Sequence, residues 1–154
     1  MNKIGLKNEY ATDLAKDLNE LLANYQIFYM NVRGFHWNIK GEKFFELHLK
    51  FEELYNSLLL KVDEVAERIL TLGSAPVHSF SEYITLSKIA EAHNISDGRM
   101  AVKEILDSIE GILKLQREIL KKSADAGDEG SLSLMSDYIR EQEKLVWMYQ
   151  AFLG

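Results

Sequence analysis

His36, His48, Asp63 and Glu67 could each ligate a transition metal. Their spacing divides them into two pairs. Asp63 and Glu67 are four residues apart, so on a helix they share a face and can meet. His48 and Asp63 are fifteen residues apart on what reads as one uninterrupted helix. At 1.5 Å rise per residue that separation is roughly 22 Å. Ligands of one metal centre lie within several ångströms of each other. If the four cooperate, the second pair must therefore come from another copy of the chain, which places the site at a subunit interface.

Two imidazoles and two carboxylates suit iron, zinc or manganese and leave positions open for an oxidant. A plainer reading uses the same residues. Asp and Glu four apart also suit a solvated helix face, and Asp137 and Glu141 repeat the spacing. A lone histidine near a helix end often serves at the surface or as a cap. The chain contains no Glu-x-x-His, the pattern of di-iron centres built inside one four-helix bundle.

The elements that would position these residues are helical. Leu14, Leu18, Leu21, Leu22, Tyr25, Phe28, Tyr29 and Val32 recur at helical steps and predict a helix from about Asn8 to Arg33. Gly34 and Gly41 bracket an expected break. Leu47, Phe51, Leu54, Leu58, Val62, Val65, Ile69 and Leu72 predict a second helix ending at Gly73, with Pro76 just beyond it. A long connection follows, from Ser74 to about Ser96. Ser79 and Glu82 have capping-box spacing there, which predicts a short helix. Val102, Ile105, Ile109, Ile112 and Ile119 mark a third long helix, about Asp97 to Ala126. Ala126 to Ser133 reads as a loop. Met135, Tyr138, Ile139, Val146, Tyr149 and Phe152 mark a fourth helix reaching nearly to Gly154, its aromatic and methionine residues expected in the core. Short loop, long crossover, short loop: the order describes an all-α, ferritin-like four-helix bundle in a single domain, residues 1–154.

Composition removes several function classes. The absence of cysteine excludes disulfides, zinc ribbons and thiol chemistry. No apolar run is long enough for a membrane span or a signal peptide, and the expected address is the cytoplasm. A net charge of −6 argues against a general affinity for nucleic acid.

The first interhelical loop centres near Glu42, with His36 six residues before and His48 six after. Residues equidistant from the turn of an antiparallel helix pair become neighbours, so the two histidines can meet in one subunit. Pairing two copies of the second helix antiparallel, with a two-fold axis near Asn56 and Ser57, brings position 48 of one copy level with position 65 of the other. Two identical sites then form at once.

His36-Trp37-Asn38-Ile39, Gly41, Phe44, Leu47-His48, Phe51-Glu52, Leu54-Tyr55, Asp63-Glu64, Ala66-Glu67-Arg68-Ile69 and Leu72-Gly73 resemble the Dps family, the DNA-binding proteins from starved cells or mini-ferritins. The helix pattern and the segment from Trp147-Met148 to Phe152-Leu153-Gly154 extend the resemblance over nearly the whole chain. It implies a hollow dodecamer that oxidises Fe(II), preferably with hydrogen peroxide, or else with O2, at ferroxidase centres between two-fold-related subunits, and stores ferric mineral inside. His36 and His48 would come from one subunit, Asp63 and Glu67 from its partner. Occupancy would be mono-iron or di-iron, with Glu67 the bridge to a weaker second position. Trp37 would intercept stray oxidising equivalents, or else serve packing. Glu52 and Glu53 match positions that nucleate mineral in relatives, and equally suit a solvated face. Asp128 and Glu129 fall in the loop that lines three-fold iron-entry pores, where Asp137 could contribute and where Gly130 and Ser133 lower the acidity. His78 and His93 read as surface residues.

The alternative class is a nucleoid-binding structural protein with little catalytic role. DNA-binding relatives usually carry a mobile Lys/Arg-rich tail, whereas the segment before the first helix has only Lys3 and Lys7. Phosphate repulsion should leave DNA binding weak at physiological salt.

Overall fold

Apolar residues at three- and four-residue steps fold the chain into five helices: α1 (Asn8–Asn38), α2 (Phe44–Thr71), α3 (Phe80–Leu86), α4 (Gly98–Ala126) and α5 (Glu129–Leu153). The structure, a computed structural model, describes every residue from Met1 to Gly154. α1 and α2 form one antiparallel hairpin and α4 and α5 a second. α1 packs on both α2 and α4, and the crossover carrying α3 lies against α1. The core is continuous through all five helices, from Leu14 and Phe28 of α1 through Phe51 and Leu58 of α2 to Ile105, Ile112 and Met135.

The bundle interior closes on a ring of three polar side chains. The Tyr25 hydroxyl donates to Gln116 Oε1. Gln116 Nε2 donates to Gln142 Oε1 at 2.6 Å, and Gln142 Nε2 donates back to the Tyr25 oxygen at 2.7 Å. Each member satisfies the next, so α1, α4 and α5 are joined without an orphaned buried group at this point. Burial drives the Tyr25 pKa far upward, keeping it a neutral phenol. Neutral side chains, not carboxylates, therefore make up this buried polar ring.

Three asparagines of α1 hold the crossover. Asn19 accepts from the Val77 amide (2.8 Å), Asn24 from the Lys88 amide (3.0 Å) and Asn31 from the Ala92 amide (2.9 Å). This is how a connection of such length obtains partners for its backbone polar groups.

Several boundaries differ from the sequence expectation. α1 runs through Gly34 to Asn38. A helical glycine costs only about 1 kcal/mol relative to alanine, and extending the helix buries Phe35 in the core. The expected loop from Ala126 to Ser133 contracts to residues 127–128. Gly127 takes the left-handed conformation that ends α4 (φ 70°), and Asp128 caps α5 at once. Ser79 does precede α3, but its side chain makes no capping bond, so the capping box does not form. α3 is anchored by Tyr83 instead, whose hydroxyl donates to the Val77 carbonyl at 2.6 Å. On α5, Met135, Tyr138 and Tyr149 are core as expected, whereas Trp147 is 64% exposed.

Candidate metal centre

His36 lies in the last turn of α1 and His48 in the second turn of α2. The hairpin places them against each other. His36 Nδ1 is 2.6 Å from the carbonyl oxygen of His48, and His48 Nδ1 is 2.7 Å from the carbonyl oxygen of His36. A carbonyl only accepts, so each Nδ1 carries the proton and donates. In the neutral ring this leaves the lone pair on Nε2, the form that ligates a metal. The rings stack with centroids 3.7 Å apart and 13° between planes. Phe44 stacks on the outer side of His48 at 4.9 Å, and Tyr55 meets His36 edge-on at 5.3 Å. Tautomer and orientation of both imidazoles are therefore fixed before any ion arrives, as backbone and carboxylate partners do for metal-bound histidines generally.

Asp63 and Glu67 project from α2 one turn apart, and both are exposed. α2 is a single helix from Phe44 to Thr71, so the premise of the distance argument holds. Within the chain no three His, Asp or Glu side chains converge as a metal-binding group. The face of α2 that carries the two carboxylates is opposite its buried stripe of Leu47, Phe51, Leu54, Leu58 and Val65. On helical geometry the same face bears Phe45, Leu49, Leu60 and Leu70, all large, apolar and exposed (75%, 61%, 67% and 59%). Apolar surface of this kind on a helix marks an interaction face.

Comparison with known proteins bears on the whole chain. The ferritin-like domain family matches residues 15–154. The DNA protection during starvation protein of Porphyromonas gingivalis is 43% identical over 148 residues, 96% of this chain and 93% of its own length. The Dps protein of Vibrio cholerae O1, described as a member of a broad superfamily of ferritin-like diiron-carboxylate proteins, superposes with a TM-score of 0.98 at 55% identity. That match covers 100% of this chain and 97% of the other. This chain belongs to the Dps family of ferritin-like proteins. The Dps of Staphylococcus aureus, at 35% identity, has a TM-score of 0.89 over 93% of this chain and 96% of its own.

The remaining candidates of this Dps chain are scattered. Trp37 follows His36 but is 56% exposed, which removes core packing as its role; the Arg33 guanidinium lies over its ring at 5.0 Å. Glu52 is half-buried, and Glu53 is exposed and paired with Lys50 at 3.0 Å. Asp128 departs from the expectation of a pore-lining carboxylate. It is 2% exposed and fully engaged: Oδ1 accepts from the Ser131 amide (3.0 Å) and from Arg68 Nη2 (2.7 Å), and Oδ2 from the Tyr10 hydroxyl (2.9 Å). Burial pushes the Tyr10 hydroxyl up to about 12, so it stays a donor to that carboxylate. Gly130 makes the arrangement possible, since a Cβ there would lie 2.7 Å from the Arg68 guanidinium. Glu129 is exposed, in the first turn of α5 rather than in a loop. Asp137 is exposed and paired with Arg140 at 2.9 Å. His78 and His93 are exposed in the crossover, as expected.

Sequence reasoning missed Arg33 beside the histidines and gave Tyr55 no role there. The available signal was hairpin register: residues 29 and 55 are as symmetric about Glu42 as 36 and 48, and Tyr29 and Tyr55 do meet edge-on at 6.0 Å.

Proposed function

We propose that two copies of this chain, related by a two-fold axis across α2, complete a ferroxidase centre. His36 and His48 come from one subunit, and Asp63 and Glu67 from its partner. The observation that carries this reading is the reciprocal lock of the two histidines. It prepares two imidazoles as ligands at a place where the chain itself supplies no carboxylate. The exposed apolar face of α2 supports the reading, because it puts Asp63 and Glu67 on the surface a second copy would cover. Asn56 faces outward near the axis. Ser57 does not, since it is held toward α5, donating to Glu141 at 3.0 Å and accepting from Lys61 at 2.7 Å.

Iron is the substrate. Neutral imidazoles retain Fe(II), and anionic carboxylate oxygens favour Fe(III), so the mixed set binds the ion and biases its oxidation. Two Fe(II) and one hydrogen peroxide, with two protons, give two Fe(III) and two waters, and no hydroxyl radical is released. Glu67 would bridge to a second, weaker position. Trp37 would give up an electron to a stray oxidant, Glu52 and Glu53 would seed mineral, and Glu129 would draw cations toward a pore. The product would be held in a dodecameric shell. The names of the relatives speak of DNA protection, and removal of iron and peroxide protects DNA without contact. A chain of net charge −6 is poorly suited to the competing reading as a nucleoid-binding protein.

The test is anaerobic loading with Fe(II) followed by hydrogen peroxide, reading Fe(III) absorbance and trapped hydroxyl radical. Fast oxidation with little radical in the wild type, lost in His36→Ala/Asp63→Ala, supports the proposal. Equal behaviour of the two proteins refutes it.

A further inference from the structure

Arg33 is a cation without an anion. Its guanidinium lies among three aromatic rings, 5.0 Å from the centroids of Trp37 and Tyr55 and 5.7 Å from that of Tyr29. Nη1 donates to the Tyr29 hydroxyl at 2.8 Å, while Nε is buried with no acceptor. A buried N–H left unpaired is unfavourable, more so on a charged group. Rings on several sides fix the position of the charge, but apart from the Tyr29 hydroxyl they offer it only their faces. The residue is three positions before His36, and Tyr55 touches both the guanidinium and the His36 ring.

Register identifies what would complete it. The α1–α2 hairpin sets Tyr29 level with Tyr55 and His36 level with His48, so Arg33 is level with Phe51. In the two-fold pairing proposed above, position 48 faces position 65 of the other copy, and position 51 therefore faces position 62. The carboxylate nearest that level is Asp63. It falls between the levels of Arg33 and of the histidine pair, whereas Glu67 lies beyond the histidines.

We infer that Arg33 is a positioning residue for the shared centre, donating from its free N–H groups to one oxygen of Asp63 of the partner subunit while the other oxygen is left for the metal. The inference rests on the two-fold reading. An ion pair of this kind makes docking of the second subunit and orientation of its ligand one event. It also limits the charge Asp63 can offer to a second ion. A guanidinium fits the role better than an ammonium, because its fork is planar and already clamped.

The test uses the assembled protein and Arg33→Gln, Arg33→Lys, Asp63→Asn and the double variant Arg33→Gln/Asp63→Asn. In metal-free protein, dissociation is followed by sedimentation against rising salt. Each single variant should dissociate at lower salt than wild type, and the double variant no lower than the weaker single one. With Fe(II), Arg33→Gln should bind about 10- to 100-fold more weakly, the usual effect of losing a partner that orients a ligand. Its oxidation rate at saturation should be retained, and Arg33→Lys should recover only part of the affinity. Additive effects on dissociation, or unchanged Fe(II) affinity in Arg33→Gln, would overturn the inference. If His36→Ala/Asp63→Ala still abolishes oxidation in that case, the shared centre stands and only the role of Arg33 falls.

Discussion

Arg68 of α2 and Asp128 at the start of α5 form an ion pair of 2.7 Å with the carboxylate 2% exposed and the guanidinium side chain 17% exposed. This pair joins the two hairpins at the end of the bundle remote from the histidines. Burial alone would raise the Asp128 pKa. The Ser131 amide and hydroxyl, the Tyr10 hydroxyl and the Arg68 charge outweigh it and hold the group below its ordinary 3.8. The folded value is depressed, so the stabilisation is complete above the unfolded value and is lost as pH falls through the folded one.

Asp128→Asn keeps an acceptor for the cap but leaves Arg68 uncompensated. It should cost on the order of 3 kcal/mol at neutral pH. The gap from wild type should close only in acid below pH ~4, where the unfolded carboxyl is already protonated. Urea midpoints of both proteins across that range check this. A gap that persists unchanged in acid would mean that packing, not charge, holds the residue.

Zinc should occupy the centre ahead of ferrous iron, since the same nitrogen and oxygen ligands bind it more tightly. Titration of metal-free protein should show about one strong site per subunit. Zinc at that level should also stop peroxide-driven iron oxidation. His48→Ala should lose both effects. Zinc binding that survives in this variant would place the strong site elsewhere.

Leu60 is 67% exposed on the outer face of α2 and contributes little to the fold of one subunit. Leu60→Glu should therefore change chain stability by less than about 0.5 kcal/mol. It should nonetheless disrupt the α2–α2 face and abolish iron oxidation, with all four ligands present. Circular dichroism, sedimentation and the oxidation assay together decide it. A fully active, dissociated subunit would contradict the interface.

The bundle was legible in the sequence because leucine and isoleucine at helical steps leave little alternative packing. Its boundaries were less so. Gly34 looked like a break, and nothing local reveals that Phe35 and His36 are worth carrying on the same helix. The stretch from Ala126 to Ser133 looked like a loop because its small and acidic residues suit loops and helix starts equally. Only the tertiary structure shows Asp128 buried, capping α5 through the Ser131 amide and paired with Arg68. The histidine pair was legible through symmetry about Glu42. The carbonyls that fix their tautomers were not, since backbone partners leave no trace in residue type. Arg33 gave no signal of its own, because a cation becomes conspicuous only when its surroundings contain no anion.

The division of one centre between two subunits is tested most directly by complementation. His36→Ala/His48→Ala and Asp63→Ala/Glu67→Ala are each prepared alone and then assembled together from dissociated subunits. Each variant alone should be inactive. In a two-fold pair of unlike subunits, one site loses all four ligands and the other keeps all four. Random assembly should then restore about a quarter of the wild-type centres, and with them about a quarter of the iron-oxidising activity. A mixture as inactive as its components, although assembled to the same size as wild type, would show that the four residues do not form a shared centre.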